Sequence, residues 1–219
     1  MRSNDRPVID RARSRQAGVH RVEATPHTIL FTGHRIDTPG RAKPRFPPDK
    51  EQLARKAIRD AVEREVADHG KSVGIAGGAS GGDILFHEVC AELGVPTTLW
   101  LALPPDRYVM ESVAPAGPDW VPRFHLVQAS VSSVRLFAPP NDSSSPRPHG
   151  SIFEESDLSM LHEAFDAGIQ NMTLIALWNG KTAGIPGEIA DMVRITRDRG
   201  VRIVTLDSDR LFGLGTSLA

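Results

Sequence analysis

Cysteine is almost missing from this chain. Its one copy, Cys90, cannot form an internal disulfide and excludes a cysteine-rich metal site. Cys90 falls within an amphipathic stretch and reads as a small buried hydrophobe. Charge of one sign is also missing: 26 basic and 27 acidic residues leave a formal charge of -1, so a nucleic-acid partner is not favoured. Aromatics are sparse at 5%, with Tyr108 the sole tyrosine, which argues against a stacking platform for single-stranded DNA. No apolar run approaches the length of a membrane span and no signal peptide is recognisable, so the expected location is cytoplasmic. The histidines are scattered, without a His-Glu-x-x-His pattern, and no metal or cofactor is read from the sequence. Neither a Gly-x-x-x-x-Gly-Lys-Ser/Thr loop nor a good Gly-x-Gly-x-x-Gly is present, which disfavours a P-loop ATPase and a dinucleotide oxidoreductase.

Glycine is what the chain does concentrate. Five glycines lie in the nine residues from Gly74 to Gly82, between a strand-like and a helix-like run. Such density marks a backbone that turns tightly or meets a ligand closely. Backbone N–H groups beside a helix N-terminus suit a phosphate. Gly77, Gly78, Ala79, Ser80, Gly81 and Gly82 are therefore candidate phosphate contacts. The alternative is a turn required by chain geometry alone. Asp83 either caps the following helix or meets a ribose hydroxyl.

The length of 219 residues suits one domain with a sizeable core. Residues 1–26 carry six arginines and little apolar material, and read as a flexible N-terminal tail. Residues 27–206 read as a single domain, 139–151 as a flexible Pro/Ser-rich insertion within it, and 207–219 as a weak C-terminal tail in which Leu211, Phe212 and Leu214 pack locally.

Within the domain, strands are expected at 28–33, 72–76, 97–103, 124–128, 134–138, 172–178 and 201–206. Helices are expected from Asp49, as cap, through 68, over 83–93, from Ser156 or Asp157 through 167, and over 187–197. Alternating strands and helices predict an α/β, Rossmann-like three-layer sandwich with a mostly parallel central sheet.

Gly33, His34 and Arg35 follow the first strand, at the edge where parallel sheets bind ligands. Arg35 suits a bidentate grip on phosphate, or else pairs with Asp37. Arg41, Lys43 and Arg45 form either a cationic lid or a solvated basic loop. His87 faces a ligand or the core. Glu188 and Asp191 share a helix face and are candidate catalytic acids, or simply first-turn carboxylates favoured by the helix dipole. Tyr108 and Trp178 are candidates for stacking on a base.

Three stretches, taken in order and in strand–loop–helix context, resemble the SLOG superfamily, which includes the phosphoribohydrolases that activate cytokinins and the DNA-processing protein of natural transformation. Two of them carry the family's residues. Ser80-Gly81-Gly82-Asp83-Ile84, with His87, looks like the DNA-processing branch. Gly184-Ile185-Pro186-Gly187-Glu188-Ile189-Ala190-Asp191 looks like the second glycine loop of the phosphoribohydrolases. There Ile185 and Glu188 stand where relatives often have Gly, and Ile189 where Thr is usual.

The resemblance implies a Rossmann-like nucleotide-binding fold over about residues 27–206 and a homo-oligomer. It adds Gly184 and Gly187 to the ligand contacts and matches Asp191 to the family's acid position; Glu188 and Arg35 complete the catalytic candidates. The function it implies is binding of a nucleotide or sugar phosphate, with hydrolysis of a nucleoside 5′-monophosphate at its N-glycosidic bond. The alternatives are a noncatalytic nucleotide sensor or carrier and, less favoured, a protein that binds single-stranded DNA.

Overall fold

The structure, a computed structural model, describes residues 25–138, 149–182 and 189–214. Six strands form one sheet: β1 (His27–Gly33), β2 (Ser72–Ala76), β3 (Thr97–Leu101), β4 (Ser133–Leu136), β5 (Met172–Trp178) and β6 (Arg202–Asp207). Their spatial order is β4-β3-β2-β1-β5-β6, and every pairing is parallel. Seven helices accompany them among the described residues: α1 (Glu51–His69), α2 (Gly82–Glu92), α3 (Pro105–Tyr108), α4 (Trp120–Ser130), α5 (His149–Asp166), α6 (Ile189–Asp198) and α7 (Ser208–Phe212).

The central strands are apolar on both faces, and their side chains alternate between two cores. Ile29 and Phe31 of β1, with Ile175 and Leu177 of β5, face the layer holding α1, α2 and α4. Leu30, Leu174 and Ala176 face the layer of α5 and α6. The result is the expected α/β three-layer sandwich. Burial pushes the Cys90 thiol up and leaves it a 0% exposed hydrophobe, as its helical setting implied. An ionic staple ties one helical layer together. Arg123 of α4 donates to Glu88 of α2 at 2.7 and 2.8 Å and to Glu51 of α1 at 2.8 Å, with its guanidinium 4.1 Å from the Trp120 ring centre. Among the described residues no helix is long and apolar enough to cross a membrane.

Several expected elements differ. Residues 124–128 are helical, not extended. Trp120, Phe124 and Val127 all turn inward at helical spacing, and five residues are too few to separate that period from alternation. Asp49 does not cap α1: the 3-10 turn Pro48–Lys50 leads in, with no side-chain cap. Helix α5 begins at His149, well before Ser156, and within the stretch expected to be an insertion. The expected C-terminal tail instead opens with α7. There Asp207 accepts the Arg210 N–H, and Phe212 stacks on Phe46 with ring centres 5.0 Å apart. The expected tail at 1–24, the insertion at 139–148 and the loop 183–188 lie outside the described residues.

Candidate active site

The glycine stretch is first a joint between two loops. Ile36 donates its N–H to Ser80 O at 3.0 Å, and Gly82 donates to His34 O at 3.2 Å. Gly81 sits at the crossing with φ +109°, and a Cβ there would stand 2.4 Å from the Ile36 nitrogen. No other residue type has both that backbone freedom and that lack of bulk. The loop after β1 and the loop after β2 are thereby zipped side by side at the carboxyl edge of the sheet.

Three more of the loop's N–H donors are used inside the protein. Gly78 N–H donates to the Tyr108 hydroxyl at 3.1 Å, Ala79 N–H to Asp83 Oδ2 at 3.2 Å, and Ser80 N–H to Ser112 O at 3.0 Å. The Ser80 hydroxyl donates to the same Ser112 oxygen at 3.2 Å. His87 holds the loop from beneath: Nε2 donates to Gly77 O and Nδ1 accepts from the Thr97 hydroxyl, both at 2.9 Å. Burial lowers its pKa to about 4, so the ring stays neutral and structural. An anion at this edge therefore meets side chains rather than these N–H groups.

Those side chains line a cavity of about 570 Å³ at the carboxyl ends of the central strands. Its basic wall comprises Arg35, Arg41, Lys43, Arg45 and Lys181. Asp37 organises two of them, Arg41 and Arg45. Oδ2 accepts the N–H groups of Arg45 and Phe46 at 2.8 and 2.9 Å, while Oδ1 lies 3.3 Å from Arg41 Nε. The basic loop is thus a closed hoop around Asp37. Arg35, which that aspartate was expected to pair, is exposed and donates to Glu111 O at 3.3 Å instead. Lys181 pairs with Asp209.

The same cavity holds the carboxyls of Asp83, at the start of α2, and Asp157, on α5. Burial pushes Asp83 up to about 7, against the pull of the Ala79 N–H and the Arg35 charge. Burial, and then the neighbouring Asp83 charge, pushes Asp157 up to about 8. Both side chains keep partial contact with the solvent of the cavity, but protein surrounds them closely enough for desolvation to dominate. Two such carboxyls titrate as a pair that retains a proton near neutral pH. Asp157 was missed as a functional residue because it read only as a helix start. Its signal was present: it lies between Phe153 and Met160 on the inward face of α5, where an acid is costly to bury.

Of the candidate ligand contacts, Gly33, His34, Arg35, Gly77, Ala79 and Asp83 line the cavity, while Gly78, Gly81 and Gly82 do not. Ser80 borders a smaller adjoining cavity of about 210 Å³, shared with Arg35, Arg41 and Arg45. His34 is 6% exposed, and burial with the Arg45 charge lowers it to about 4. Its Nε2 has no hydrogen-bond partner among the described residues. Asp191 does not line the cavity, and its carboxylate accepts from Arg194 at 3.1 Å. Gly184, Gly187 and Glu188 lie outside the described residues. Tyr108 is buried against Phe124 and Phe153, leaving no open face for stacking. Trp178 is half-buried at the cavity, anchored by an Nε1–H bond to Lys181 O at 2.9 Å.

The chain reverses direction across the sheet between β1 and β5, and the cavity opens there, as ligand crevices do in doubly wound sheets. Fold and site together define a Rossmann-like α/β protein with a crevice compatible with a nucleotide or other small molecule. No family model matches the chain, and no curated protein does. Among solved structures, DNA processing protein A (DprA) from Streptococcus pneumoniae is similar over 85% of this chain, at 13% identity and a TM-score of 0.37. The chain spans 61% of that protein's length. Unliganded arylmalonate decarboxylase is similar over 89% of this chain and 94% of its own, at 15% identity and a TM-score of 0.24. The Rossmann-like assignment stands on this chain's own strand order and parallel pairings.

Proposed function

We propose that the cavity binds a nucleoside 5′-monophosphate or a related sugar phosphate and hydrolyses its N-glycosidic bond. One observation carries this reading: a single crevice joins a basic wall to a pair of carboxyls with raised pKa. The basic wall suits a phosphate, with Arg35 offering a planar fork. The carboxyl pair suits acid–base work on a bond a few ångströms away.

In the proposed step, protonated Asp157 gives its proton to the departing base nitrogen as the C1′–N bond breaks. Ionised Asp83 stabilises the positive charge growing on the sugar and takes a proton from the attacking water. Water oxygen bonds to C1′, and the products are free base and ribose 5-phosphate. The pair ends with the one proton it began with, now on Asp83. The half-buried Trp178 offers an edge or face to the base. The resemblance to the SLOG superfamily supports the substrate class. The acids differ from those the resemblance suggested, because Asp83 and Asp157 line the cavity and Asp191 does not.

A mass-spectrometric screen of nucleoside 5′-monophosphates tests this. Wild type is expected to release base and ribose 5-phosphate, with a bell-shaped pH dependence of kcat/KM set by the pair. The variant D157N is expected to retain ligand and lose at least about a hundredfold in rate. R35A is expected to weaken binding. Retention by wild type without product supports the binding-only alternative and overturns hydrolysis, and neither retention nor product overturns both.

A further inference from the structure

The opposite, amino edge of the sheet carries a second group of side chains with a chemistry of its own. The buried stripe of α1 runs through Ala54, Ile58, Ala61 and Val62, and then meets a carboxylate, Glu65, at 1% exposure. One turn further, His69 stands over Glu65. His27, the first residue of β1, reaches the same point from the sheet. The Glu65 Oε2 atom lies 3.5 Å from Nε2 of His27 and 3.5 Å from Nε2 of His69. Donor atoms of all three residues lie within 4.8 Å of one another.

We propose that His27, Glu65 and His69 form a binding site for a divalent transition-metal ion of the zinc class, with water as fourth ligand. Bonds of about 2.0–2.2 Å in a tetrahedral site put donor atoms roughly 3.4 Å apart, close to the two spacings seen here. Two imidazoles and a carboxylate are a donor set that zinc accepts. Glu65 already has the surroundings of a metal-bound carboxylate. Arg202 holds its other oxygen, Oε1, at 3.2 Å, and the Thr173 hydroxyl donates to Oε2 at 2.7 Å. Such outer contacts orient a ligating carboxylate.

The two rings are stacked, with centres 3.8 Å apart and planes 10° from parallel. Their lone pairs must converge on the ion, so one ring has to swing. His69 is the one able to do so: it ends α1, just before Gly70, and is 36% exposed, whereas His27 is 3% exposed. That exposure also gives the ion its entry path and the water its place. The site joins the start of β1 to the end of α1 and, through Arg202, to β6. The cavity lies at the other edge of the sheet, so the ion's expected effect is on stability.

The test uses tag-free full-length protein, stripped with a chelator and titrated with Co²⁺, whose visible absorption is intense only at low coordination number. Expected are one equivalent bound with a tetrahedral-type band, displacement of that band by Zn²⁺, and a raised unfolding temperature. H69Q, at a half-exposed position, is expected to fold normally without metal, to lose at least roughly tenfold in affinity and to lose the thermal gain. H125Q, at an exposed histidine elsewhere, is expected to bind as wild type does. Absence of a stoichiometric band, or a band and affinity that H69Q leaves unchanged, overturns the site.

Discussion

Two kinds of buried titratable residue pull the stability of this protein in opposite directions as pH changes. His34 and His87 are held neutral down to about pH 4, so the unfolded chain takes up more protons below its own histidine pKa. Their contribution is complete above about pH 6.5 and is lost as pH falls toward 4. Asp83 and Asp157 do the reverse. Their folded pKa values lie above the unfolded ones, so the folded state holds more protons between about pH 4 and 8, and stability falls as pH rises through that window. Above about pH 6.5 only the carboxyl effect remains. D157N is therefore expected to unfold at a higher temperature than wild type above about pH 8. The advantage shrinks as pH falls toward the ordinary carboxylate range. Thermal melts across pH check this, and a constant offset at every pH would contradict it. The same substitution is expected to lower turnover, which is the signature of a residue kept at a cost to stability.

At the scale of elements, the joint between the loops after β1 and β2 is the piece on which the cavity depends. Gly81 occupies the contact where a Cβ would collide with backbone, and backbone cannot rotate away as a side chain can. G81A is expected to cost about 3 kcal/mol or more, through the unfavourable φ and the separation of the two loops. Denaturant titration followed by tryptophan fluorescence measures it. G94A, at a helix end with φ +70° and nothing within 4 Å of a new Cβ, is expected to cost only about 1 kcal/mol. Equal costs at both positions would show that the joint adds nothing beyond backbone strain.

For the whole molecule, the placement of charge sets the response to ligand. The basic wall is built largely from exposed side chains on loops, so its attraction for a phosphate is screened by salt. The rise in unfolding temperature caused by a bound nucleoside monophosphate is expected to shrink markedly from low to high ionic strength. A Co²⁺-induced rise is expected to change little, because Glu65 and His27 are buried at the far edge of the sheet. Thermal shifts with each probe at two salt concentrations separate the two sites in one experiment. If both rises shrink alike, the cobalt is bound at the surface.

The sequence by itself determined the architecture. Apolar strands alternating with amphipathic helices have few ways to bury their faces, and a parallel three-layer sheet is the one that fits short crossovers. Local pattern also marked the Gly33–Arg35 and glycine loops, because a backbone that must turn tightly demands residue types visible in a short window. It misread 124–128, where five residues could not settle the period, and it left Asp157 as a helix start. Only the tertiary structure decided what the glycine loop does with its N–H groups, since their acceptors lie on Tyr108, Ser112, Asp83 and His34. It also decided which carboxyls face the cavity. His27 lies far in sequence from Glu65 and His69, so no local motif could join them. Desolvation and through-space charge act between residues brought together by folding, and those interactions are what make the cavity and the histidine–glutamate cluster.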